Sequence, residues 1–154
     1  MRVAVAGTFG PIHDGHRTLF EHALRFGEHV VVALTSDELA VETRTEPRPI
    51  PDFDDRVQAV TDEIAAIDEW NREVEVRRLE TEYGIAADEP SIDALVVSPE
   101  TAPELEDVNA RRRERGFEPI SGIVAPYVLA DDGERISSTR IVKGEIDEHG
   151  RLLE

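Results

Sequence analysis

Cysteine is absent from this chain, so disulfides and thiolate-held metals are excluded. Lysine is almost absent: of 17 basic residues only Lys143 is lysine, and the rest are arginine. Aromatic residues make up 5% of the chain, with a single Trp. No apolar run approaches the roughly 20 residues of a membrane span, so no membrane partner is expected. The N-terminus runs from Met1-Arg2 straight into a strand-like segment, with no basic-then-apolar leader, and a cytoplasmic location is the expectation. Positive charge of any kind is scarce. Against 34 Asp and Glu, the 17 basic residues leave a net charge of −17. Such a surface repels phosphate backbones, so nucleic acid is not an expected partner. A generic acidic protein would show this balance, as would one adapted to a salt-rich cytosol, where a Debye length of about 3 Å at molar salt screens carboxylate repulsion. The preference for Arg suits the second reading, although a GC-rich genome would favour Arg too. An anionic substrate would require the few cations to gather at its site.

What is present is a regular alternation. The length of 154 residues suits one domain, residues 1–154, able to bury about 70% of its unfolded surface. Val3 to Ala6 reads as a buried strand. Residues 14 to 26 read as a helix, with Leu19, Phe20, Ala23 and Leu24 at helical spacing and Gly27 as its stop. HVVVAL (29–34) is a second apolar strand, followed by a helical turn capped by Thr35 or Ser36. TEPRPIP (45–51) is a loop. Asp52 opens a helix to about Asp68, with Val57, Val60, Ile64 and Ile67 on one face. EVEVRRL (73–79) alternates as a strand, residues 80 to 92 form an acidic connection, and DALVVS (93–98) is a fourth strand. A helix near 102–115 stops at Gly116. A fifth strand lies within 119–129, a short helix spans 136 to 143, and the tail is polar. Continuous apolar strands separated by helices predict an α/β, Rossmann-like, doubly wound fold: a five-stranded parallel sheet with helices on both faces. Ligands of such sheets bind beyond the carboxyl ends of the strands, where the strand order reverses.

The sequence GTFGPIHDGH (7–16) falls just after the first strand, where that rule points. Asp14 can cap the next helix, His13 and His16 then flank its first turn, and Gly15 leaves room for close approach to the backbone. A helix N-terminus attracts anions and disfavours imidazolium, so neutral rings donating hydrogen bonds are expected. Three readings suit these residues: an incidental capping loop, a metal pair, and phosphate recognition. The metal reading has no clear third ligand and no Cys. Neither the Walker pattern nor the dinucleotide glycine fingerprint is present. A second device follows the fifth strand: ISSTRI (136–141) sets Ser137, Ser138 and Thr139 before Arg140. Alone it reads as a helix cap; facing the first loop it reads as a polyphosphate clamp.

At these two motifs the sequence resembles the HIGH-motif nucleotidyltransferase superfamily, and within it the archaeal phosphopantetheine adenylyltransferases. LTSDEL (34–39), VVSPET (96–101), VNARRRERGFEP (108–119) and ISSTRIVKGEID (136–147) extend the resemblance over nearly the whole chain. It implies adenylyl transfer from ATP to 4′-phosphopantetheine without a covalent intermediate, with Mg²⁺ arriving on the ATP and no protein metal site. The alternatives are another phosphate acceptor, such as nicotinamide mononucleotide, or a non-catalytic nucleotide-binding module. By the resemblance His16 donates to the α-phosphate, His13 supports the phosphates beside it, and Thr8 holds the attacking phosphate, with Gly7 and Phe9 completing that loop. Ser137, Ser138 and Thr139 hold the β- and γ-phosphates. Arg140 pairs either with phosphate or with a surface carboxylate. Arg48, before Pro49, either takes the cationic role of a bacterial Lys or is a solvated loop arginine. Arg112 and Arg115, one turn apart on a helix, are candidates for the triphosphate or for a solvated basic face. The family's loop usually reads G-T-F-D, whereas this chain has Gly10 at the last position. The cations at 44–56, 111–115 and 135–143 are expected to flank the site. Neither motif bears on oligomeric state.

Overall fold

The structure is a computed structural model that describes residues 1–43 and 47–154. Its first half runs β1 (Arg2–Gly7), α1 (Asp14–Phe26), β2 (His29–Thr35), α2 (Asp37–Glu42) and α3 (Phe53–Ile67). Its second half runs β3 (Glu73–Leu79), α4 (Gly84–Asp88), β4 (Ala94–Val97), α5 (Glu104–Glu114), β5 (Ser121–Val124) and α6 (Ser138–Val142). The five strands form one sheet in the order β3-β2-β1-β4-β5, and every pairing is parallel.

The apolar strands are apolar because both faces are covered. Val3 and Val5 of β1 pack with Phe20 and Leu24 of α1 and with Val60 and Ile64 of α3. Ala4, pointing the other way, joins Leu39 of α2, Ile85 of α4 and Val108 of α5. Burying a side chain such as Phe20 or Leu24 contributes about 2 kcal/mol, and both are within 1% of complete burial. β3 alternates because it is an edge strand, with Glu73 and Glu75 exposed.

β1 lies between β2 and β4. The chain leaves β1 toward β2 and β3, then crosses back to β4 on the other side. The strand order therefore reverses at the carboxyl end of β1, which is where GTFGPIHDGH begins. Two local expectations need correction, and the tail gains a structural role. The acidic connection holds a short helix, α4, whose Ile85, Ala86 and Ala87 are buried. The tail is polar in composition but ordered: Ile146 is fully buried with Ala130 and Ile136, and a bridge joins Ile146 to Leu152. The cap of α1 is His13 rather than Asp14. Part of the 45–51 loop, and Arg44 with it, lies outside the described residues. Among the described residues no helix is long and apolar enough to cross a membrane.

Candidate active site

The two histidines are fixed by the backbone of the turn that carries them. Gly15 N–H donates to His13 Nδ1 at 3.0 Å, and His13 N–H donates to His16 Nδ1 at 3.3 Å. An imidazole nitrogen that accepts carries no proton, so each neutral ring keeps its proton on Nε2. The rings stack with centroids 3.8 Å apart. Burial, reinforced by the Arg17 charge, lowers the His13 pKa to about 4, so His13 is neutral across the physiological range. The space over Gly15 is filled by this packing and is not left for a ligand: a Cβ there would stand 2.8 Å from the His13 ring. Phe9, buried and at φ +53, sets its ring edge against Phe20 and His16. A Cβ on Gly7 would meet that ring at 2.9 Å.

Arg56 ties the loop down from behind. It is 1% exposed, and its Nη1 donates to Thr8 O at 3.1 Å, Thr35 O at 2.8 Å and Thr35 Oγ1 at 3.3 Å. Its Nε reaches Pro51 O at 2.8 Å, and its Nη2 meets Asp37 at 2.9 Å. Thr35 Oγ1 then donates to Thr8 Oγ1 at 3.0 Å. Donation thus runs in one direction, Arg56 to Thr35 to Thr8, and leaves the Thr8 hydroxyl its own proton to give. The stem of the same arginine accounts for Gly10, where a Cβ would stand 2.9 Å from Arg56 Cδ.

These groups line an open cleft of about 540 Å³, within the usual range for small-molecule sites. Gly7, Thr8, Phe9, His13, His16 and Arg48 line it together with Ser137, Ser138 and Thr139. Arg48 Nη1 donates to Gly10 O at 3.0 Å. Ser138 Oγ donates to Pro11 O at 2.7 Å, so this hydroxyl rivets the two motifs together instead of facing a ligand. Ser137 Oγ accepts from Arg140 N–H at 3.2 Å and keeps its own proton to donate. The residues after β4 and β5 add Ser98, Glu100, Tyr127 and Arg135.

The family model described as cytidylyltransferase-like matches residues 4–144. A phosphopantetheine adenylyltransferase from Methanopyrus kandleri is 41% identical over 150 residues, covering 96% of this chain and 91% of the relative. The chain belongs to the cytidylyltransferase-like family. Its near-full-length relatives place it among the archaeal phosphopantetheine adenylyltransferases; that of Methanothermobacter thermautotrophicus is 38% identical, covering 98% of this chain and 88% of its own length. Among solved structures, a protein of unknown function from Archaeoglobus fulgidus matches with a TM-score of 0.69 at 31% identity, over 81% of this chain and 89% of that one. Pantothenate synthetase from Thermus thermophilus, with a TM-score of 0.58 at 18% identity, covers 90% of this chain and 60% of its own and shows the shared fold only.

Three arginines that were candidates either for the nucleotide or for a surface role are engaged away from the cleft. Arg112 is 1% exposed and donates to the carbonyls of Glu118, Ala86 and Glu89 at 2.7, 2.8 and 2.9 Å; it closes the end of α4 against α5. Arg115 bonds Ala87 O and Asp88 on the same side. Arg140 pairs with Asp132 at 2.5 Å and Glu145 at 3.1 Å, which is the surface-carboxylate alternative. The 111–115 group of cations therefore does not flank the cleft. Sequence reasoning also missed the tail's part in the site. Asp14 N–H donates to Glu148 O at 3.0 Å, Arg17 bridges Asp14 at 2.7 Å, Glu148 at 3.0 Å and Glu63, and His149 meets Asp14 at 3.1 Å. The tail thereby latches onto the turn that holds the histidines.

Proposed function

We propose that the protein transfers the adenylyl group of ATP to 4′-phosphopantetheine, giving dephospho-coenzyme A and pyrophosphate. A phosphate oxygen of 4′-phosphopantetheine attacks the α-phosphorus in line. The new O–P bond forms as the bond from the α-phosphorus to the α,β-bridging oxygen breaks, and that electron pair leaves with pyrophosphate. No protein nucleophile takes part. Catalysis is positioning and stabilisation of charge on the equatorial oxygens. His16 supplies the Nε2–H that strengthens as this charge builds, and neutral His13 supplies a second donor beside it. Thr8, oriented through Thr35 and Arg56, donates to the attacking phosphate, and Arg48 balances its charge. Ser137 and Thr139 receive the departing phosphates.

The observation that carries this reading is the tautomer-fixed histidine pair at the head of α1, in one cleft with the Ser137–Thr139 hydroxyls. Near-full-length relatives that are phosphopantetheine adenylyltransferases point to the acceptor. Among the described residues no group of three or more His, Asp or Glu could hold a metal ion, and Mg²⁺ enters as part of the MgATP substrate, its usual mode of binding. The acidic surface suits work in a salt-rich cytoplasm. The test is pyrophosphate release from ATP in molar KCl with 4′-phosphopantetheine, nicotinamide mononucleotide or neither. Release with 4′-phosphopantetheine alone supports the reading. Release with the mononucleotide instead reassigns the acceptor, and the absence of release with either acceptor leaves a nucleotide-binding module.

A further inference from the structure

The triphosphate of ATP needs cations, and the arginines expected to provide them are committed elsewhere. Arg112 and Arg115 serve carbonyls behind α5, and Arg140 is held by two carboxylates. Among the described residues lining the cleft, the arginines are Arg48 and Arg135. Arg48 sits against Gly10 O, on the wall built by the loop after β1. Arg135 also lines the cleft, two residues before Ser137.

Several features of Arg135 fit a ligand-gripping role. Its base is fixed, because Ile136 is 5% exposed and its N–H donates to Val128 O at 3.0 Å. Its head is 48% exposed and rests over the Tyr127 ring at 5.7 Å. Its charge is felt at His13, where it helps hold the ring neutral. Its one ion-pair partner among the described residues is Glu100, on the loop after β4, itself 55% exposed. That pair spans from the β4 side of the cleft to the β5 side. Exposed ion pairs of this kind are weak, whereas a polyphosphate offers several charged oxygens to a planar guanidinium fork.

We propose that Arg135 is the arginine that grips the β- and γ-phosphates of the nucleotide, and that Glu100 occupies it in the free protein and is displaced on binding. This rests on the nucleotide reading above. It makes Glu100 a built-in competitor: nucleotide enters by exchanging one carboxylate for the triphosphate at a single arginine.

The test is calorimetric binding of inorganic tripolyphosphate, and separately of ATP, in molar KCl without acceptor. The proteins are the wild type, Arg135→Gln, Arg135→Lys, Glu100→Gln and the Arg135→Gln/Glu100→Gln double variant, with thermal melts to confirm that each folds. Arg135→Gln should weaken both ligands about tenfold or more, the loss of a charged hydrogen-bonding group, and Arg135→Lys should restore only part of this. Glu100→Gln should tighten binding severalfold, and that gain should vanish in the Arg135→Gln background. Unchanged affinity in Arg135→Gln, or a Glu100→Gln gain that persists without Arg135, overturns the proposal. Failure of the reaction is read separately: a wild type that grips tripolyphosphate through Arg135 yet makes no dephospho-coenzyme A refutes the proposed transfer and leaves this inference standing.

Discussion

Replacing Arg56 by Met keeps an unbranched apolar stem and removes every donor. Three carbonyls, those of Thr8, Thr35 and Pro51, lose a partner in a site that is 1% exposed. An abandoned buried polar group costs about 1–3 kcal/mol. Taking the lower part of that range, because a carbonyl has a second lone pair, the three sum to about 3–5 kcal/mol. The Asp37 arm adds little, since that carboxylate is 57% exposed and exposed pairs contribute about 1 kcal/mol at most. At about 2–4 °C per kcal/mol for a chain near this size, Tm should fall by roughly 6–20 °C. Urea unfolding in molar KCl reads the change as a lower midpoint at unchanged slope. Arg56→Lys should lose most of the same stability, because a single ammonium cannot span three carbonyls and a hydroxyl. Turnover should fall with stability held in hand, at low temperature, because Thr8 loses its orienting chain. A loss below about 1 kcal/mol would refute the reasoning, since that is no more than a surface arginine costs.

Other outcomes follow from the same geometry. His16→Ala should lower kcat on the order of 10²-fold while KM for ATP moves far less, as for loss of a transition-state donor; equal loss in both would make His16 a ground-state contact. The His13 ring should titrate by NMR with a midpoint near 4, well below its ordinary 6.5, and a midpoint near the ordinary value would contradict its burial. Between those two values the unfolded chain binds a proton that the folded chain does not. The stabilisation from neutral His13 is therefore fully present above about 6.5 and is lost as pH falls through about 4, about 3 kcal/mol in all, measured by denaturant melts across that window. Dilution of KCl below about 0.5 M should lower Tm as repulsion among the carboxylates returns; a Tm that stays flat or rises on desalting would refute the assignment to a salt-rich interior.

The sequence disclosed what depends on neighbours along the chain. The ends of α1 and α3 were readable because apolar spacing, Gly27 and Asp52 mark them locally, and the sheet was readable because its central strands are apolar on both faces. What escaped depends on where long side chains go. Arg112 and Arg115 share a helix face, which suits a ligand or solvent equally; only the fold shows Arg112 turned inward onto the carbonyls of Ala86 and Glu89. Arg56 lies in the first turn of α3 with nothing in the sequence around it to mark its role, yet it joins that turn to the Thr8 loop and to the end of β2. The cap of α1 moved from Asp14 to His13 because the Asp14 carboxylate is drawn away to Arg17 and His149. α4 was hidden by acidic flanks, with only Ile85, Ala86 and Ala87 to bury. Arg135 carried no signal beyond its place ahead of the hydroxyl run.

The histidine pair is the part on which the chemistry turns, and a crystal structure with α,β-methylene-ATP tests it most directly. The α-phosphate should lie within about 3.2 Å of His16 Nε2, with the terminal phosphates on the Ser137 and Thr139 side. A nucleotide bound with its α-phosphate away from both imidazoles would contradict the assignment.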